Sequence, residues 1–436
     1  MYNRFKVKFK GEKMSLFGKY KYGKQYKLLI IAVFIYYNCI MGLKLTYSTQ
    51  LVDIMDAFNE TKANVGLGLT YYYFSYGFAQ VILSLFISKI DLKKFFLIMT
   101  ILSAGSFSIV GFVTKLWQVT LILTINGVFQ CATWGGLIHI CTKSLPEDLV
   151  SFSIKLLITG YASSNALAYG VSAIFSVISW KFSFVFWGAM CIISLLYMLA
   201  KEKQIERLIK AGDENVYDLT KLKEDKTAKA YMIPKEVKFN IMPLVILTCL
   251  SALFVQTTTY SFSNWVPNLL VEEHGFPNYL SILISLVLPL ATLPVTLLMF
   301  KYLDKTNKVL DSAILINIIS VVLFALMAFI FKSNPIVAIT MSIILKIMTA
   351  LLTVQTSTYV LAKFNYHVNT AAVALIVNSL TSAGAGLAPF ISGIIMDASG
   401  WQAYYLFMAG LILVNLIALI VVNANVKKEK KVDTYI

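Results

Sequence analysis

Residues 27–51 read KLLIIAVFIYYNCIMGLKLTYSTQL. The stretch is long enough to cross a membrane, because a hydrocarbon core of ~30 Å takes about 20 helical residues. Yet Lys44 lies well inside its apolar boundaries. A charge at such a depth costs roughly 2.5–3.5 kcal/mol on insertion scales. A helix that served only as an anchor would have no reason to carry that penalty, so Lys44 is read as facing a water-filled cavity. Residues three, four and seven positions away share its face. These are Tyr37, Met41, Tyr47 and Ser48, a polar and aromatic stripe unlike one turned to lipid.

The rest of the chain has the composition to enclose such a cavity. It has 436 residues, 58% hydrophobic and 14% charged, with a mean hydropathy of +0.73. Soluble domains carry about a quarter charged residues, so this composition indicates a polytopic membrane protein. The formal net charge of +16 does not indicate nucleic acid, because the lysines gather at the N-terminus, the centre and the C-terminus. Those are positions that the cytoplasmic side of a bilayer attracts. Cys39, Cys131, Cys141, Cys191 and Cys249 all fall in apolar segments and are read as small buried hydrophobes. Their spacing suits neither a metal site nor a disulfide framework. No cleavable signal peptide is read, since the first apolar segment is too long for one.

In chain order, 1–26 form a basic cytoplasmic arm. Apolar spans follow at 27–51, 64–88, 95–114, 117–143, 149–178 and 180–200. A mixed-charge linker at 201–238 separates them from spans at 240–270, 276–302, 308–331, 335–362, 369–396 and 401–424, and 425–436 form a basic tail. The expected domains are therefore a bundle at 27–200, a cytoplasmic linker and a bundle at 239–424. With both termini and the linker inside, each half crosses an even number of times. The loop after the first span carries Asp53, Asp56 and Glu60, and the loop after the second carries Lys89, Lys93 and Lys94, in keeping with positive-inside topology. Twelve helices in two six-helix bundles predict an all-α membrane protein with its ligand between the halves near the midplane. Gly66, Gly68, Gly127, Gly135, Gly136, Gly384, Gly386 and Gly393 should allow close helix packing. Pro243, Pro289, Pro294 and Pro389 should kink their spans.

The tenth span holds the sharpest polar signal. Lys346 lies about 11 residues, or ~16 Å of helix, beyond Pro335, close to the midplane and too deep for its stem to reach the headgroups. Ser342, Lys346, Thr349, Thr353, Thr356 and Ser357 form one polar stripe. In the seventh span Gln256, Thr259 and Ser263 share a face, within a run that also holds Thr257, Thr258, Tyr260, Ser261 and Asn264. Asn126, Gln130 and Thr133 line the fourth span, and Asn378, Thr381 and Ser382 the eleventh. His139 lies on nearly the opposite face of the fourth span, read either as a packing histidine or as a proton-linked one. No aspartate or glutamate lies deep in any span. That argues against proton coupling and against a cationic substrate, and it leaves Lys44 and Lys346 without fixed counter-ions. A substrate carboxylate or phosphate is the simplest partner.

These residues resemble the major facilitator superfamily, and most closely its organophosphate:phosphate antiporter branch, the group of the glycerol-3-phosphate transporters. The segment from Lys44 to Leu51 is similar to that branch's first helix. Asn126-Gly127, Gln130 and Trp134-Gly135 resemble its fourth helix. Asn264-Trp265-Val266-Pro267 resembles the end of its seventh. Asn378 to Trp401, with Gly393, Asp397 and Gly400, resembles its eleventh helix and following loop. The resemblance implies that Lys44 stands where the branch has a phosphate-binding arginine and that Thr259 stands where it has the second. One guanidinium clamp is thus missing and the other is a lysine. Lys89 replaces a usual aspartate in the loop after the second helix, whereas Asp304, Lys305 and Lys308 keep the second-half copy.

The expectation is a transporter, not an enzyme, with no cofactor, metal or catalytic residue. It moves a small organic anion through the cytoplasmic membrane as a monomer, by exchange or uniport. Lys44 and Lys346 supply charge, and Tyr37, Tyr47, Asn126, Gln130, Gln256, Thr259, Thr349, Thr353 and Asn378 line the site. The alternative is a carrier of a neutral or zwitterionic solute, such as a sugar, nucleoside, peptide or drug, in which tyrosines stack on the ligand and proton coupling returns.

Overall fold

A computed structural model describes residues 16–86, 89–210, 242–306, 308–355 and 370–428. Every regular element among them is helical. A 3-10 turn, Leu16–Lys19, precedes α1 Gly23–Thr49, α2 Leu51–Phe58, α3 Lys62–Phe86, α4 Leu92–Ile109, α5 Leu116–Gln130, α6 Thr133–Ser144, α7 Glu147–Ile178 and α8 Lys181–Lys210. The second half comprises α9 Met242–His274, α10 Asn278–Ser285, α11 Val287–Thr306, α12 Val309–Ile330, α13 Pro335–Val354 and α14 Thr370–Lys428. Eight of the helices described are long and apolar enough to cross a membrane on length and composition. With α5 and α6 forming one broken rod, α10 and α11 another, and α14 bent into two limbs, the expected pair of six-helix bundles is formed. The face with the N-terminal turn is the proximal face, and α2 lies at the opposite, distal face.

The breaks have local causes. Gln50 interrupts α1 and α2 at φ −105°, ψ 13°; its side-chain amide is held by the Ser172 carbonyl at 3.1 Å and Ser183 Oγ at 2.7 Å. Pro289 has no N–H to give the Ser285 carbonyl, and α10 ends at Ser285. Gly400 joins the limbs of α14 at φ 74°, ψ −175°, a conformation glycine adopts without a Cβ clash. Pro243 is the second residue of α9 and produces no kink there, since the first turn of a helix tolerates proline. Pro294 and Pro389 stay inside continuous helices, as does Pro267.

Lipid tails give little hydrophobic drive for helix association, so packing and polar pairs carry it. Tyr36 and Thr100 hydroxyls meet at 2.9 Å. Asn415 donates to Asn317 at 2.8 Å, and Gln355 to Ser312 at 2.9 Å. On the proximal side Lys93 pairs with Glu202 at 2.9 Å and Glu206 at 3.1 Å, tying α4 to α8. Asp91 caps α4 through the Lys94 amide at 3.1 Å.

The halves meet where α3 crosses α14. At Gly66 a Cβ would lie 2.7 Å from the Pro389 carbonyl oxygen, and at Gly393 it would lie 2.6 Å from the Ala63 nitrogen. Thr70 Oγ1 donates to the Gly386 carbonyl at 2.6 Å. At the distal face Asp397 accepts from the first amides of α3, Lys62 at 3.3 Å and Ala63 at 2.9 Å. Lys62 pairs with Glu272 at 2.7 Å, and Trp401 Nε1 donates to the same carboxylate at 2.8 Å. Asn268 and Asn278 of the second half bond Met55, Asp53 and Asp56 of the first. The distal face is shut by these contacts.

Candidate functional site

Lys44 projects from α1 into the space between the halves and is half-buried. Its ammonium lies 4.4 Å from the Tyr76 ring centre, 5.3 Å from that of Tyr73 and 5.8 Å from that of Tyr72. The faces of such rings carry negative potential, so they meet a cation in place of a carboxylate. Lys346, on α13, is also half-buried. Its ammonium donates to Ser263 Oγ on α9. Neither lysine forms an ion pair among the described residues.

An aromatic wall joins the two ammonium groups. The Tyr73 ring stands 5.6 Å from that of Tyr260. Tyr260 and Tyr161 hydroxyls approach at 3.4 Å across the halves. Tyr169 donates to the Ser263 carbonyl at 2.8 Å, also across the halves. Ser263 is one turn beyond Tyr260 on α9 and holds Lys346. The two lysines therefore border one region from opposite halves, with tyrosines between them.

The remaining residues singled out from the sequence divide into three groups. Thr259 and Thr353 hydroxyls approach at 3.4 Å, so the polar stripes of α9 and α13 do face each other. Thr349 is fully buried and donates to the carbonyl of Lys346 at 3.0 Å, steadying the turn that carries the lysine. Gln256 is buried on the same stretch of α9. Gln130 accepts from Tyr72 at 2.7 Å, behind the rings around Lys44, and its Nε2 is buried without a partner among the described residues. Tyr37 is buried, with its ring 6.4 Å from that of Trp134.

Two residues are engaged elsewhere. Asn126 is fully buried and spends its bonds on α4, donating to the Ser103 carbonyl and to Ser106 Oγ, both at 2.9 Å. Tyr47 is fully buried and donates to the Val65 carbonyl at 2.8 Å, inside the first half. Both hold helices of the first bundle together rather than presenting free polar atoms between the bundles. His139 sits towards the proximal end of α6, in the field of Lys143, Asp91 and Lys93. Thr356, Ser357 and the Asn378 side chain lie outside the described residues.

The tyrosines around Lys44 and the serine on Lys346 were individually visible in the sequence. Their assignment to those lysines was not, because it depends on how α3 and α9 are turned.

A family model described as Major Facilitator Superfamily matches residues 28–379. No individually curated protein matches the sequence. Among solved structures, the chain is similar to the nucleoside transporter NupG at 17% identity and a TM-score of 0.64, covering 91% of this chain and 98% of that one. It is similar to a bacterial homolog of the human lysosomal transporter Spinster, in an inward-facing and occupied conformation, at 13% identity and a TM-score of 0.68, covering 91% of this chain and 95% of that one. At these identities the likeness speaks to the fold.

Proposed function

Because the chain belongs to the major facilitator superfamily, we propose that this transporter carries a small organic anion by alternating access, exposing a site between its halves to each side in turn. One observation carries the reading: two half-buried ammonium groups from opposite halves border one region and lack carboxylate partners among the described residues. An anion bound there would meet donors from α1 and α13 together and draw the halves towards each other. Thr259, Thr353 and Gln256 would orient it, and Gln130 would act through Tyr72, which it holds behind Lys44. The aromatic wall would favour a carboxylate on a carbon skeleton over a phosphate ester, as would the single point charge of each lysine in place of guanidinium forks. Within this proposal the mode is that of the organophosphate antiporter branch, which the segments around Lys44, Asn126 and Trp265 resemble. Exchange or substrate-gated uniport follows from the charges, since two unneutralised lysines resist closure around an empty site.

The distal face is assigned to the outside and both termini to the cytoplasm of a cell membrane, on the lysine distribution. The protein works as a monomer in this scheme, with its residues 1–26, 201–238 and 425–436 on the cytoplasmic side of bundles 27–200 and 239–424.

A second reading has its own support. The three rings around Lys44 already answer its charge, and one structural neighbour is a nucleoside transporter. Lys44 would then orient a neutral ring system by hydrogen bonding while the tyrosines stack on it. Uptake into liposomes by the purified protein, with labelled carboxylates, phosphate esters and neutral analogues of matched size, separates the two. Uptake confined to anions and stimulated by internal anion supports the first. Uptake of the neutral analogues at equal rate overturns it in favour of the second.

A further inference from the structure

The shut distal face contains an acid that substrate binding does not use. Asp53, on α2, is 8% exposed. Its Oδ1 accepts from Ser176 Oγ of α7 at 2.9 Å and from Asn278 Nδ2 of α10 at 3.0 Å. Its Oδ2 is buried and has no partner among the described residues. The same Asn278 amide donates to Asp56 Oδ2 at 2.8 Å, so one amide of the second half serves two carboxyl groups of the first.

The cations nearby are engaged elsewhere. Lys62, at the start of α3, pairs with Glu272 at the end of α9. Lys181, at the start of α8, donates to the Val113 carbonyl at 2.7 Å. Lys332 pairs with Glu273. At the distal ends of the adjoining elements the further titratable groups include Glu60 after α2, which accepts from Asn64, His274 on α9 and Tyr279 on α10. Asp53 forms no ion pair among the described residues, and the charge that acts on it is that of Asp56. A carboxylate held this way is poorly solvated, and a proton on the free oxygen relieves both the burial and the repulsion.

We infer that Asp53 is a proton-binding site assembled when the distal face shuts. Asn278 belongs to the second half, so the pocket exists only while the halves touch there. In the open state α2 is wetted from the distal side and Asp53 is an ordinary surface acid. Closure removes water from it, and a proton from the distal solution forms the O–H bond on Oδ2 and takes the charge from −1 to 0. Reopening returns that proton to the same side. No proton need cross the membrane.

The direction follows from linkage. Burial pushes the Asp53 carboxyl above the usual range, the Asp56 charge adds to this, and the bonds from Asn278 and Ser176 oppose it. The shut state therefore binds the proton more tightly than the open state. Below the ordinary carboxylate value both states are protonated and the linkage is flat. As pH rises from there through the raised value, the proton's support for the shut state is lost. The shut-to-open ratio falls by up to about tenfold per pH unit, the limit for one linked proton.

The test uses the full chain in liposomes, with its five cysteines replaced and spin labels on Thr114→Cys and Ser333→Cys. Both positions are exposed in distal loops of opposite halves. Distances are read by pulsed electron resonance at several pH values. The native pair should move towards the short distance as pH falls. Asp53→Asn, and Asp53→Ser as a smaller uncharged variant, should hold the short distance at every pH. Asp56→Asn should keep the pH response with its midpoint moved to lower pH. A native pair that ignores pH, or Asp53 variants that respond as the native protein does, would overturn the assignment.

Discussion

Replacing Asp397 with alanine should tip the molecule out of its distal-shut state. Asp397 belongs to α14, yet its carboxylate caps the first turn of α3 in the other half, at 3.3 Å from the Lys62 amide and 2.9 Å from the Ala63 amide. These bonds exist only while the halves touch. Hydrogen bonds to a charged partner contribute about 1.5–3 kcal/mol when buried. Asp397 is exposed and one of its bonds is long, so roughly 1.5 kcal/mol for the pair is the reasonable figure after solvent screening. A negative charge at a helix N-terminus adds about 0.5 kcal/mol. The sum of about 2 kcal/mol corresponds to a ~30-fold fall in the shut-to-open ratio. Asp397→Asn keeps an acceptor and loses the charge, so it should give an intermediate fall. Single-molecule energy transfer between dyes at Thr114→Cys and Ser333→Cys counts the two states directly. A change of less than about threefold for the alanine variant, or a shift towards the shut state, would refute the reasoning that this cap works as an inter-half latch.

Two further outcomes follow from the packing. Gly66→Val puts side-chain atoms against the Pro389 backbone, where even a Cβ would be 2.7 Å from the carbonyl oxygen; the dye pair should report separation of the distal ends, with the melting temperature changed less than the conformational ratio. Asn126→Ala removes the bonds that join α5 to the Ser103 carbonyl and Ser106 of α4, leaving Ser103 short of a buried partner. Thermal unfolding in detergent should show a loss of about 2–3 kcal/mol, while the apparent affinity for substrate stays unchanged.

Hydropathy carried most of the fold. Apolar runs bounded by lysines fix spans, their number and their pairing into halves, because in lipid every backbone group must be satisfied within a helix. Lys44 and Lys346 were legible for the same reason: a charge at such depth is costly enough to be meaningful on its own. The polar residues around them were less legible. Asn126 and Gln130 share one face of one helix, yet the first braces α4 and the second backs Tyr72 behind Lys44. Sequence spacing assigns a face but not the neighbour that the face meets. Tyr72, Tyr73 and Tyr76 are near neighbours in the chain, and only the rotation of α3 brings all three rings to one ammonium. Asp53 looked like a loop acid beyond the end of a span. Its burial comes from α7 and α10, elements more than a hundred residues away in the chain.

The central claim is that the two lysines jointly hold an anion. The measurement that tests it most directly is uptake of the labelled anion selected by the substrate panel, by liposomes containing native protein, Lys44→Ala, Lys346→Ala and the double variant at equal amounts. The account predicts that each single variant loses nearly all exchange while keeping a native melting temperature, and that the double variant is scarcely worse than either. Normal uptake by either single variant would contradict it.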